Sequence, residues 1–167
     1  MVGKTLLLGA LIAGLVPTVS AQLSSHDKTF VLHAAQINNY EIQAALLADK
    51  YSSNPVYRTY AMAIANDQTE ASGQLQSTVA DQDPSMRLPN GVSPSGQRML
   101  TALKNSRNVD VTFRNQMIAS KLATLRMYQS YIDQPDANSE VKQMAQGLMA
   151  TFEQQLEDAR NLPAPNE

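Results

Sequence analysis

The chain is predicted to be all-α, a ferritin-like up-down four-helix bundle with one additional short helix. Three observations lead there. Ala, Gln, Leu and Met are abundant, and no alternating β-branched run of strand length occurs. Four long segments each carry an apolar stripe at three-to-four spacing, the period of an amphipathic helix. Cap and proline signals divide those segments cleanly.

The first 21 residues read as a secretory leader. Lys4 gives the positive start, Leu6 to Val16 a short apolar stretch, and Val19-Ser20-Ala21 a small-residue cleavage site. That stretch is shorter than the roughly 20 apolar residues a membrane span needs. Cleavage after Ala21 would leave 146 of the 167 residues, enough for one domain with a single core. The expected location is therefore periplasmic or secreted.

Residues 22–26 are expected to be a flexible lead-in, with His26 inside it. The bundle domain should cover 27–161 and a disordered tail 162–167. Helix one is expected over Asp27 to Ser52, capped by Ser25 or Asp27, with Phe30, Ala34, Ile37, Glu41, Ala44, Ala48 and Tyr51 on its stripe. Asn54-Pro55 is a cap followed by proline at the first helical position. Helix two follows to about Asp81, through Val56, Tyr60, Ile64, Asp67, Ala71, Leu75 and Thr78. Gly73 interrupts it, and a small residue there suggests close approach of another helix.

Residues 83–93, with Pro84, Pro89 and Asn90-Gly91, form a connection long enough to cross over the bundle. Ser93-Pro94 opens a short helix to about Lys104. Asn108 caps the next long one, to about Asp133, with Phe113, Met117, Lys121, Thr124, Tyr128 and Ile132 facing inward. A turn at 134–138 leads to the last helix, Ser139 to about Asn161, through Val141, Ala145, Leu148, Phe152, Gln155 and Ala159.

Several function classes are disfavoured. The formal charge is −2, or −3 without Lys4, and no Lys/Arg run occurs, which argues against nucleic acid. There is no Cys, so neither disulfides nor thiolate metal sites arise. No Gly-x-Ser-x-Gly, serine–histidine–acid set or glycine-rich phosphate loop appears, so the chain does not read as an enzyme. The dispersed methionines read as core filler rather than soft-metal ligands. Tyr51, Tyr60 and Tyr128 fall on stripes, whereas Tyr40, Tyr57 and Tyr131 suggest a contact surface. His33, beside the stripe, suits a boundary face better than a ligand position.

The informative residues are the polar ones inside the stripes: Glu41, Asp67, Lys121 and Gln155, with Gln68 beside Asp67. Four helices that each aim a polar group at one core are the usual layout of a buried metal or cofactor site. Two readings of Lys121 stand side by side. It pairs with Glu41 or Asp67 while Gln155 and Gln68 complete the hydrogen bonds, or its stem snorkels to the rim.

The opening Phe30-Val31 with Ala34-Ala35, Glu41 eleven residues after Phe30, Leu47-Ala48, Val56, Ala61, Asp67, Leu75, Asp110-x-x-Phe113 and Leu156 with Ala159 together resemble the exported bacterial domain-of-unknown-function 4142 family. The resemblance covers about residues 27–160 and implies a ferritin-like fold. It also implies an Asp-His pair on the second helix, a histidine in the middle of the fourth, and another near the end of the last. This chain has Asp67-Gln68, Lys121 and Gln155 at those places. The acids Glu41, Asp67 and Asp110 remain, but every expected histidine is replaced.

The Glu-x-x-His motif of di-iron bundles is likewise absent: three residues before His26 and His33 stand Leu23 and Phe30. No cofactor or metal is therefore expected. The chain reads as an exported, non-enzymatic binding or envelope-associated structural protein, with an envelope protein or small ligand as partner. The alternative is a metal- or small-ligand-binding bundle that uses Glu41, Asp67 and Asp110. A surface-active protein whose bundle opens onto a membrane is a third, weaker reading, because the outer faces carry mixed charge rather than Lys and Arg.

Overall fold

Each helix begins at a polar cap. The computed structural model describes residues 22–164, so the leader and the last three residues lie outside it. α1 (Ser25–Tyr51) opens on a capping box, in which Ser24 accepts from the Asp27 backbone and Asp27 from that of Ser24. α2 (Pro55–Gln82) starts at Asn54 with proline at its first position. α3 (Pro94–Lys104), α4 (Val109–Ile132) and α5 (Ser139–Asn161) are capped by Ser93, Asn108 and Asn138.

The expected flexible lead-in at 22–26 is not seen. The capping box sets the helix start at Ser25, Leu23 is buried, and the His26 ring lies 5.7 Å from that of Tyr131. Each of these contacts ties the entry of the chain to the bundle.

The four long helices form the predicted bundle. Its base gathers the start of α1, the ends of α2 and α4, and the start of α5. Lys28 lies 3.0 Å from Asp83, and Asp27 accepts from Tyr131 and from the Asn138 backbone. At the opposite end, the Tyr57 hydroxyl donates to the Pro163 carbonyl, and Arg114 donates to the carbonyls of Ala159 and Arg160. The helices therefore run up, down, down and up. α2 and α4 are parallel because residues 83–108 climb the full length of the bundle, the single long crossover of ferritin-like folds.

The crossover is pinned on the way. Asn39 donates to the carbonyls of Pro89 and Gly91, and Gln116 donates to that of Met99 on α3.

Burial is broader than a single stripe. Tyr40, Tyr57 and Tyr131, expected on a contact surface, are buried, whereas Tyr51 and Val56, expected inside, are exposed. A helix in a four-helix bundle packs against two neighbours, so its covered face is wider than one row of residues. The three buried phenols are accommodated because each hydroxyl has a partner: Gln116, Pro163 and Asp27, respectively. Gly73 does not serve close approach either; a β-carbon added there would meet nothing within 4 Å.

The apolar core is divided in two. Phe30, Val31, Leu75, Tyr128, Tyr131 and Phe152 belong to a lower cluster. Ala44, Tyr57, Ile64, Phe113, Met117 and Ala159 belong to an upper one. On every long helix the break between the two clusters is made by buried polar residues: Asn38 and Glu41 on α1, Gln68 on α2, Lys121 and Thr124 on α4, and Gln155 on α5.

Candidate functional site

The polar layer at this break is built from two hydrogen-bonded groups. In the first, Lys121 Nζ lies 2.5 Å from Glu41 Oε2, and both side chains are 0% exposed. Ser120 Oγ donates to the other carboxylate oxygen at 2.6 Å. The ammonium also sits 4.8 Å from the centre of the Phe152 ring, where the negative face of the π-system favours a cation. Lys121 therefore does not snorkel. Its partner is Glu41 rather than Asp67.

In the second group, Gln155 Nε2 donates to Asp67 at 2.8 Å, and Gln68 Nε2 donates to Gln155 Oε1 at 3.2 Å. The Tyr60 hydroxyl donates to the Gln155 carbonyl at 3.0 Å. Gln155 and Gln68 thus serve Asp67 instead of completing the bonds of the lysine. Asp67 fixes the order: its carboxylate requires the amide nitrogen of Gln155, which turns Oε1 toward Gln68 and leaves the Gln68 oxygen facing onward.

Asp110 is brought to neither group. It lies in the first turn of α4, about three helical turns above Lys121, where its charge acts on Tyr57. His33 is exposed and lines a groove between α1, α3 and α4. Asn38 and Ser120 belong to the site although the sequence did not mark them, and Phe152, expected only as a stripe residue, belongs to it through its ring. The available signals were the one-turn spacing of Asn38 from Glu41, of Phe152 from Gln155, and the adjacency of Ser120 to Lys121.

This donor set fits a metal ion poorly. Both oxygens of Glu41 are already engaged, one by a fixed cation that would repel another. Among the described residues, no three His, Cys, Asp or Glu side chains are grouped so as to hold a metal. The electrostatics agree with an enclosed interior. Burial first, and then the Glu41 charge, push the phenols of Tyr40 and Tyr128 well above their ordinary 10, so both remain neutral hydroxyls.

The groove beside the layer is about 460 Å³. Ile37, Met99, Ala123 and Met127 are among its apolar lining residues, with Ser120 and Tyr40 reaching its wall. Ser120 therefore touches both the groove and the buried carboxylate. No helix among the described residues is long and apolar enough to cross a membrane.

A four-helix bundle with one crossover and polar side chains meeting at mid-height defines a ferritin-like helical-bundle protein. Within that class, the chain belongs to the family described as "Domain of unknown function (DUF4142)", whose model matches residues 15–162. Among solved structures it is similar to the crystal structure of a DUF305 fragment from Deinococcus radiodurans, with 19% identity and a TM-score of 0.69. That similarity covers 84% of this chain and 97% of the fragment; at this identity it speaks to the fold alone. No curated protein matches.

Proposed function

We propose that this is an exported, non-enzymatic binding protein of the cell envelope, in which a fixed lysine cation takes the place a metal ion would hold. The observation that carries the reading is the Lys121–Glu41 pair, 2.5 Å apart and fully enclosed at mid-bundle. A carboxylate already neutralised by an ammonium at one oxygen, with a hydroxyl on the other, offers a second cation repulsion from the first. The leader-like residues 1–21 support export.

The test is metal analysis of protein purified from the host's periplasmic fraction, together with thermal shifts against divalent cations. The expected result is substoichiometric metal and an unchanged Tm. Stoichiometric metal, or a cation-dependent rise in Tm, would favour the rival in which Glu41, Asp67 and Asp110 bind a metal. Recovery of the protein only from the cytoplasm would overturn the envelope assignment.

Between an envelope protein and a small ligand as partner, the groove favours the ligand. Its volume of about 460 Å³ falls within the range of small-molecule sites, roughly 300–1,000 Å³. Its apolar residues, bordered by His33, Gln36, Ser93, Ser95 and Ser120, suit a molecule with an apolar body and hydrogen-bonding groups at its edge. An environment-sensitive naphthalene dye should bind there, and Ala123→Trp should abolish binding without lowering Tm. Undiminished binding by that variant would exclude the groove.

A further inference from the structure

The polar layer contains more hydrogen-bonding groups than its two groups use. Asn38 Nδ2, Gln68 Oε1, Thr124 Oγ1 and the Tyr128 hydroxyl are buried with no partner in the protein. All four residues are 1% exposed. An unmade hydrogen bond in such a place is costly, and four together would remove a large part of a domain's marginal stability.

Their positions converge. Asn38 is one helical turn from Glu41, and Thr124 is one turn from both Lys121 and Tyr128. Helical side chains lean toward the start of their helix, so on α4 Thr124 and Tyr128 lean toward Lys121. The Tyr128 ring meets Phe152 edge-on at 5.1 Å, on the same ring that Lys121 Nζ faces. Gln68 enters from α2, with its oxygen directed onward from Gln155.

We propose that this layer holds an internal water site, in which one or more ordered waters link Asn38, Gln68, Thr124 and Tyr128 beside the Lys121–Glu41 pair. The chemistry selects water over an ion. An anion would accept from Asn38 and the hydroxyls but would meet the Gln68 oxygen and the Glu41 carboxylate. A cation would meet Lys121 and the Asn38 amide. Water both donates to Gln68 Oε1 and accepts from Asn38 Nδ2, while either hydroxyl turns to suit it. Buried waters of this kind make about three hydrogen bonds to protein groups that lack other partners.

The water also joins the two halves of the layer. With a further N–H of Lys121 Nζ donating to the water, a chain of hydrogen bonds would run from Asp67 through Gln155 and Gln68, across the water, to the lysine pair and Ser120 at the groove. This inference does not depend on what the groove binds.

A crystal structure at about 1.5 Å resolution, paired with oxygen-17 relaxation dispersion of the intact protein, tests it directly. The expected result is at least one enclosed water within hydrogen-bond distance of three of the four groups, and a long-lived water signal. Thr124→Val and Tyr128→Phe keep the shape of the side chain while removing a water partner. Each should lower Tm by roughly 3–8 °C, and the double variant should lose less than the sum. Empty density, a chloride or metal at the site, or a rise in Tm in both variants would overturn the proposal. A rise is what removing a dry, unsatisfied hydroxyl produces.

Discussion

The middle and the base of the bundle both bring buried polar groups from several helices together, yet they are assembled in opposite ways. At mid-height, Glu41 meets Lys121 as one full charge against another, with neutral amides and hydroxyls around them that find no protein partner. At the base, beside the Lys28–Asp83 pair, Asp27 is a buried carboxylate held by four neutral donors: the backbone and hydroxyl of Ser24, the hydroxyl of Tyr131 and the backbone of Asn138. Neutral donors fixed by helix ends satisfy a charge without introducing a second one to desolvate. The Asp27 cluster is thus the cheaper arrangement, and the middle is the one that specifies which helices meet.

The comparison is broken most forcefully at the lysine. Lys121→Met leaves Glu41 buried and unpaired and should cost about 3–5 kcal/mol in denaturant unfolding. Combining it with Glu41→Gln should recover much of that loss. Strictly additive losses in the cycle would mean that the two charges are not energetically coupled.

Asp27→Ala should cost less, about 2–3 kcal/mol, because it removes hydrogen bonds and half a capping box but strands no opposing charge. Tyr131→Phe removes a single charge-assisted bond and should cost about 1.5–2 kcal/mol. If Asp27→Ala proved as damaging as Lys121→Met, the distinction between the two regions would fail.

Acid should act on the base. Burial alone would raise the Asp27 pKa, but the bonds from Asn138, Tyr131 and Ser24 outweigh it and hold the group below its ordinary 3.8. Asp83, held by Ser85 and then Lys28, is lowered as well. A depressed carboxylate contributes stability in full above about pH 5 and loses it as pH falls through the lower folded value. Thermal melts between pH 6 and 2.5 should show this loss, and Asp27→Asn should flatten it.

The smallest effect belongs to neither region and serves as a reference. Gly73 lies mid-helix and exposed, with open space around it. Gly73→Ala should therefore stabilise by up to about 1 kcal/mol through helix propensity alone.

The helix limits were legible in the sequence to within a residue or two, because Asn54-Pro55, Ser93-Pro94 and Asn108 are local signals that need no tertiary context. The buried faces were less so. Tyr40, Tyr57 and Tyr131 are inside because a second neighbouring helix covers them, which periodicity along one helix cannot express. The polar layer was legible as a set, since Glu41, Asp67, Lys121 and Gln155 each interrupt a stripe. The pairing within it was not, because choosing Glu41 over Asp67 depends on the relative heights of four helices. The base cluster was hidden for another reason: Asp27 in the sequence looks like a cap and nothing more, while its further partners lie over a hundred residues away.

The long crossover has a consequence for how the chain reaches this state. It separates two helical hairpins, α1 with α2 and α4 with α5, each of which can form from nearby residues before the two dock. Glu41 lies on the first hairpin and Lys121 on the second, so neither has its partner charge until the two hairpins meet. Two first hairpins from different molecules would enclose a pair of glutamates, and two second hairpins a pair of lysines. Only the union of unlike halves gives Glu41 a cation, so the buried pair guards the half-folded chain against associating with its own kind.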